Sequence, residues 1–197
     1  MTIPSTEKIL KLLDAFSGIR ILLLGDLVLD EYLHGEIRRV SREAPVLIID
    51  HSETHHRPGG AANAALNLRA LGAEVVPVGV VGNDSSGKNL LEIFQKIGID
   101  TEQILVAPQW KTPTKTRILA GLPHSRKQQV LRIDRGHCGS PFPGISGQLL
   151  AALRRGAAGT EGMLISDYGY GAVEKENLPA ILSLARRHQL RVTVDSR

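Results

Sequence analysis

The sequence predicts an α/β fold: a mostly parallel sheet covered by helices on both faces, with a small β-layer attached. Three observations carry that prediction. Short apolar runs alternate with segments of helical period along most of the chain, the pattern of repeated strand–helix–strand units joined by right-handed crossovers. Glycine is abundant, at 20 residues, and much of it falls where a strand should turn into a helix. Twice the alternation breaks, around residues 31–50 and 115–134, where extended segments follow one another without a helix between them.

The elements follow in order. Ile9, Leu12, Leu13 and Phe16 have helical spacing, so a short amphipathic helix opens the chain. Residues 21–24 are continuously apolar and end in Gly25-Asp26, as a strand buried on both faces should. Extended segments are expected near 31–37 and 46–50. Gly59-Gly60 opens a helix that Gly72 closes. Residues 75–81 form a strand. Leu90, Ile93, Phe94 and Ile97 mark a helix closed by Gly98, and 104–106 is a short strand. Residues 115–120 and 128–133 read as a paired hairpin. A helix over 145–155 follows, with Arg154 and Arg155 at its negative end. Residues 163–166 are a strand, Leu178, Ile181, Leu182 and Ala185 one face of a helix, and 191–194 a last strand that leaves an uncovered edge.

Composition limits the function classes. A chain of 197 residues can bury one substantial core. The net charge of +4 admits a nucleic-acid partner, but the basic residues are dispersed among acids and aromatics make up only 4%. That excludes a stacking platform for single strands, and anionic small molecules need the same cations. No apolar run is long enough to span a bilayer, and residues 1–16 carry scattered charges rather than the apolar core of a signal peptide. The single cysteine, Cys138, cannot form an internal disulfide and fits a reducing compartment. A cytoplasmic protein without membrane or nucleic-acid partner is the expectation.

Four predicted strands each end in an acid: Asp26, Asp84, Asp167 and Asp195. Ligands of open α/β sheets bind outside the carboxyl ends of the strands. Ionised carboxylates there suit a polyol or a metal–nucleotide. Singly, each acid could equally cap the next helix.

The strongest local motif is Arg57-Pro58-Gly59-Gly60-Ala61-Ala62-Asn63. The glycine pair lets backbone approach a ligand closely, the helix start offers free N–H groups, and Asn63 can donate and accept. A plain tight turn with close helix packing fits the same spacing. Gly82-Asn83-Asp84-Ser85-Ser86-Gly87-Lys88-Asn89 approximates a phosphate-binding loop between strand and helix. Asn89 stands where a magnesium-binding hydroxyl belongs, and Asp84 puts negative charge inside the cradle. Both argue against it. A nucleotide binder using Lys88 stays as an alternative. His51, His55 and His56 lack zinc-ligand spacing and read as solvated loop residues, so no metal site is expected. Cys138 has no activating neighbour in sequence and is assigned no chemistry. Lys115, Arg117, Arg132, Arg38 and Arg42 lie in or beside the predicted β-layer, and period two puts Lys115 and Arg117 on one strand face.

Gly59-Gly60-Ala61-Ala62-Asn63-Ala64-Ala65, followed by Gly72 and Gly82, resembles the first signature of the ribokinase-like (PfkB-type) carbohydrate kinases. Gly25-Asp26 with Asp30, the 82–87 stretch and Ser166-Asp167-Tyr168 extend the resemblance over nearly the whole chain. Ser41-Arg42-Glu43-Ala44-Pro45-Val46, Thr114-Lys115-Thr116-Arg117 and Gln128-Gln129-Val130-Leu131-Arg132-Ile133-Asp134 look like its heptose-phosphate branch.

The resemblance implies a ribokinase-like three-layer fold with a β-lid built from about 31–50 and 115–134, and a homodimer joined lid to lid. It implies ATP and Mg2+ as co-substrate, a sugar phosphate as acceptor, and heptose 7-phosphate for lipopolysaccharide core synthesis as the branch's role. Asp26, Asp30, Gly59, Gly60 and Asn63 would hold sugar hydroxyls, with Lys115, Arg117 and Arg132 near the lid and the phosphate, and Asp167 at the same rim. Tyr170 stands where that branch has a lysine, and Arg42 replaces a proline. The family's later Asn-x-x-Glu and Asp-Thr-x-Gly-Ala-Gly-Asp motifs, which contact nucleotide and supply the catalytic Asp, do not occur within the 197 residues. The resemblance therefore puts the catalytic base beyond Arg197. The chain by itself is expected to lack the C-terminal third of the domain, that base and measurable kinase activity. A non-catalytic sugar-binding or dimerising fragment, and a kinase of another sugar or a nucleoside, are the alternatives.

Overall fold

The computed structural model describes residues 5–123, 125–136 and 144–196. Cys138 lies outside them, and so does Arg197, the residue beyond which the catalytic base is expected. Nine strands and five helices are described: α1 (Thr6–Asp14), β1 (Arg20–Gly25), β2 (Leu27–Val40), β3 (Leu47–Gly60), α2 (Ala61–Ala70), β4 (Glu74–Gly82), α3 (Ser85–Lys96), β5 (Ile104–Ala107), β6 (Thr114–Gly121), β7 (Gln128–Arg135), α4 (Ile145–Gly156), β8 (Gly162–Asp167), α5 (Leu178–Arg187) and β9 (Arg191–Ser196). Five strands form a central sheet in the order β5-β4-β1-β8-β9, and every pairing in it is parallel.

β1 shows why its apolar run is unbroken. Leu22 and Leu24 alternate with Leu23 across the sheet. The first two pack with Met163, Ile165 and residues of α4 and α5, such as Leu149, Leu153 and Ile181. Leu23 packs with Ala61 and Ala65 of α2 and Leu90 and Phe94 of α3. Helices therefore cover both faces, and the strand is buried on each side, which gives the expected three layers. α2 sits close to the sheet because Gly25 is glycine: a Cβ there would collide with the Ser166 carbonyl oxygen and lie 2.7 Å from the Ala61 Cβ.

The second sheet has the order β3-β2-β6-β7, with β2–β3 and β6–β7 antiparallel and β2–β6 parallel. β2 and β3 run for 14 residues each, well beyond the segments expected at 31–37 and 46–50. Residues 51–57 carry histidines, acids and hydroxyls rather than alternating apolar side chains. Cross-strand polar pairs hold them, and no hydrophobic period announces such a strand. β3 is an edge strand, where Pro58 and its missing N–H are tolerated.

A single residue, Asp26, separates β1 from β2, and none separates β3 from α2. Leu27 pairs with Gly60 in the ladder. The hairpin thus leaves the core and returns to it side by side.

Among the described residues, two apolar surfaces lack cover. α1 is amphipathic as expected, but none of its residues is buried, and Ile9, Leu10, Leu12 and Leu13 are exposed. β9 is an edge strand exposed along its whole length. Beside it, near the amino ends of β1 and β8, an open apolar trough of about 600 Å3 is lined by Ile19, Ile21, Leu68 and Leu164. It lies at the end of the sheet away from the strand-terminal acids. No helix among the described residues is long and apolar enough to cross a membrane.

Candidate functional site

The four strand-end acids meet different fates. Asp26 is buried, and its carboxylate accepts backbone N–H bonds from Tyr168 (2.8 Å), Tyr170 (3.0 Å) and Ala172 (2.9 Å). Its own N–H donates to the Ser166 carbonyl at 3.1 Å, and its carbonyl accepts from the Ala61 N–H at 3.0 Å. Burial pushes its carboxyl above the ordinary aspartate range, against the pull of the three N–H donors, and nearby Asp167 raises it further. Asp26 was expected to hold sugar hydroxyls. In the structure its carboxylate bonds the backbone of the 168–172 loop beside the ends of β1 and β8.

Asp84 is a helix cap. Its carboxylate accepts the Gly87 N–H at 2.8 Å, the Thr112 N–H at 2.9 Å and the Thr112 hydroxyl at 2.8 Å. Partial burial opposes its charge, but these donors prevail and hold its carboxyl below the usual range. The Gly82 N–H donates to Thr112 Oγ1 at 2.8 Å. Thr112 and Asp84 therefore fill the turn that a phosphate would need, and the 82–88 stretch does not fit a triphosphate. Asp167 is half-buried, accepting from the Gly169 N–H and the Ser196 hydroxyl, both at 2.9 Å. Asp195 is exposed on the edge strand.

Lys115, Arg117 and Arg132 gather on one face of the second sheet. Asp30, Lys115 and Asp134 lie opposite one another across β2, β6 and β7, as do Tyr32, Arg117 and Arg132. Directly opposed residues share a face. Arg117 Nη1 donates to Asp30 Oδ1 at 2.6 Å, and its guanidinium lies 5.4 Å from the centre of the Tyr32 ring. That hydrogen bond raises the Arg117 pKa still further, so its charge is permanent. Lys115 Nζ lies 5.8 Å from the centre of the Tyr168 ring and 5.9 Å from that of Tyr170, within cation–π range of both. Arg132 is exposed and paired with Asp134 at 2.9 Å. Arg38 pairs with Asp50 at 2.7 Å, and Arg42 is exposed.

The glycine pair closes the site from below. A Cβ on Gly59 would lie 2.8 Å from Asp30 Oδ2. Gly60 has φ +55, and a Cβ there would meet the Asp26 carbonyl oxygen at 2.8 Å. Gly60 needs glycine for conformation as well as space, whereas a methyl at Gly59 would displace the Asp30 carboxylate. Asn63 is exposed in the first turn of α2, the helix whose start bonds to Asp26. A chain of contacts thus runs from Asp26 through the tyrosine loop to Lys115, and from Arg117 through Asp30 to Gly59. The result is a rim where carboxylates, which can accept from hydroxyls, adjoin cations, which can meet an anion.

The opposite face of this sheet carries a network that sequence reasoning did not anticipate. Glu31 accepts from the Thr116 hydroxyl at 2.6 Å and from Arg135 at 2.6 Å, and lies 3.2 Å from His56 Nε2. Partial burial works against its charge, but these partners outweigh it and hold the carboxyl below its ordinary range. His56 reaches Asn89 of α3 at 3.4 Å, and Thr114 donates to Ser86 at 2.8 Å, so this face leans on the core. His51 bonds Thr54 at 2.7 Å. The trio His51, His55 and His56 does not converge; His34, Glu53 and His55 do, with ligand atoms within 4.8 Å of one another.

An α/β core with a small second sheet, and a rim of carboxylates and cations at its strand ends, fit the carbohydrate-kinase class of protein. Residues 24–135 match the family described as pfkB family carbohydrate kinase, and the chain belongs to that family. It is 40% identical over 180 residues to the "Bifunctional protein HldE" of Trichlorobacter lovleyi, covering 91% of this chain and 35% of that protein. The chain thus spans about a third of the length of that curated relative. Among solved structures, the "Carbohydrate kinase from Agrobacterium tumefaciens" aligns with a TM-score of 0.63 at 22% identity, over 89% of this chain and 53% of that one. The ribokinase of Cryptococcus neoformans, solved in complex with ADP, aligns with a TM-score of 0.54 at 18% identity, over 91% of this chain and 49% of that one. The fold is ribokinase-like.

Proposed function

We propose that the chain forms the sugar-phosphate-binding part of an ATP-dependent carbohydrate kinase whose acceptor is D-glycero-D-manno-heptose 7-phosphate, on the route to lipopolysaccharide core. One observation carries the reading. Asp30 and Arg117 are joined at 2.6 Å on the sheet face that also bears Lys115. An acceptor for sugar hydroxyls and two cations for a phosphate therefore stand together above Gly59-Gly60. The Asp30 carboxylate accepts from hydroxyls and orients the ring. Arg117 uses Nη1 on Asp30 and on the Lys115 carbonyl and keeps its remaining donors for phosphate oxygens, while Lys115 adds a mobile point charge. Asp26 acts one step back, by holding the 168–172 loop. The heptose branch is supported by the runs at 41–46, 114–117 and 128–134 and by the similarity to HldE.

ATP with Mg2+ is the co-substrate in this reading and supplies the transferred phosphoryl group. The 82–88 stretch does not fit it, and the residues described supply the sugar side. The protein works in the cytoplasm and pairs as a homodimer through the lid, a role supported by exposed apolar side chains on and beside the lid strands, including Val40, Val46, Leu47, Leu131 and Ile133.

Calorimetric titration with heptose 7-phosphate, with and without ATP, tests the proposal. Saturable binding is expected, weakened about 10- to 100-fold by Arg117→Ala or Lys115→Ala and likewise by removing the sugar's phosphate, as loss of a charge-assisted hydrogen bond implies. Equal affinity for the free heptose and its phosphate would overturn it.

A further inference from the structure

We propose that His34, Glu53 and His55 form a site for a divalent transition-metal ion of the zinc class on the lid, on the face that carries Asp30 and Arg117 and next along β2 and β3 from them. The proposal stands on geometry and is independent of the kinase reading. His34 lies opposite Glu53 in the β2–β3 ladder, and His55 lies opposite Tyr32, two residues along β3 from Glu53. Period two therefore puts Glu53 and His55 on one face, and cross-strand pairing adds His34 to it. The three ligand atoms lie within 4.8 Å of one another. His55 Nε2 and Glu53 Oε2 are already 3.1 Å apart, close to the separation of two ligands on one tetrahedral ion. The His34 and His55 rings meet edge to face, 5.3 Å between centroids and 79° between planes. Small side-chain rotations bring all three onto one ion.

The donor set selects the metal. Two imidazoles and one carboxylate suit Zn2+ and its neighbours rather than Mg2+ or Ca2+, which prefer oxygen alone. Three protein ligands leave a fourth position for water. His34 is half-buried while Glu53 and His55 are exposed, so an ion can enter directly. A ladder irregularity falls between His34 and Gly35, where the pairing skips from Glu53 to His51. An ion bridging β2 to β3 beside that irregularity pins the register there and stiffens the lid beyond Asp30 and Tyr32.

The test is calorimetric titration of the tag-free chain with ZnCl2, alongside the visible spectrum of the chain with Co2+. One Zn2+ per chain is expected, with a Kd below about 10 µM, and Co2+ should give the intense absorption of a tetrahedral centre. His34→Asn and His55→Asn should each weaken binding about 100-fold or more, and Glu53→Gln should weaken it as well. His51→Asn, on the same strand but bonded to Thr54, should leave it unchanged. Amide exchange around Gly35 should slow when Zn2+ is added to the unaltered chain. Absence of saturable binding would overturn the proposal. So would binding that survives both His34→Asn and His55→Asn, or that is lost in His51→Asn. The Co2+ spectrum of the unaltered chain decides the matter even if a variant misfolds.

Discussion

Asp26 Oδ1 accepts the Ala172 N–H at 2.9 Å, tying together two positions 146 residues apart. With the N–H groups of Tyr168 and Tyr170, it makes one carboxylate responsible for the shape of a whole loop. Asp26→Ala leaves three donors without their acceptor. Each buried donor left unsatisfied costs about 1–3 kcal/mol, less where water reaches it. A loss of several kcal/mol in urea unfolding is expected, with faster amide exchange at 168–172.

The same residue sets a pH dependence. Its folded pKa is raised above 3.8 by burial, so the native state binds this proton more tightly than the unfolded chain does. That contribution is complete below 3.8 and is lost as pH rises through the folded value. The stability of the natural chain relative to Asp26→Asn, which does not titrate, should therefore fall with rising pH across that window. Unfolding curves at several pH values check the sign.

Gly59→Ala should weaken sugar-phosphate binding while sparing the fold. The added methyl would stand 2.8 Å from Asp30 Oδ2, so the carboxylate must turn away and its bond to Arg117 must loosen. Affinity should drop about tenfold, with thermal stability nearly unchanged. Ligand titration beside a melting curve separates the two effects.

Lys88→Ala should leave nucleotide affinity untouched, because the turn before it is filled by Thr112 and Asp84. Asp84→Ala, by contrast, removes the cap of α3 and the acceptor for Thr112, and should cost about 1–2 kcal/mol in chemical denaturation.

Glu31 carries the acid sensitivity of the lid. Its folded pKa lies below 4.5, so the stabilisation it brings is present above 4.5 and is lost as pH falls through the folded value. Glu31→Gln should flatten that acid limb of the stability curve, as seen by lid amide exchange or fluorescence near Tyr32.

The parallel sheet was legible because burial on two faces writes itself as unbroken apolar runs, as at Leu22, Leu23 and Leu24. The lid was less so. Residues 51–57 owe their extended shape to partners on β2 rather than to any period of their own, and register cannot be read from one strand. For the same reason His51, His55 and His56 read as solvated loop residues, while the ladder brings His34 and Glu53 to His55. Period two places Lys115 and Arg117 on one face, as the ladder does. The same step puts Thr114 and Thr116 on the other face, where Glu31 could have been sought. Asp26 and Asp84 were ambiguous in principle, because a carboxylate before a helix or loop looks identical whether it meets backbone N–H groups or a ligand.

The pairing of Leu27 with Gly60 gives the lid the mechanics of a lever. Its arms of 14 residues reach roughly 45 Å at about 3.3 Å per residue, while their footing on the core lies at the Asp26 end, where Leu27 and Leu29 are buried. A tilt of a few degrees at Asp26 swings the far tip by ångströms. Any molecule that grips both Asp30 and the tyrosine loop therefore controls a long arm from its short end.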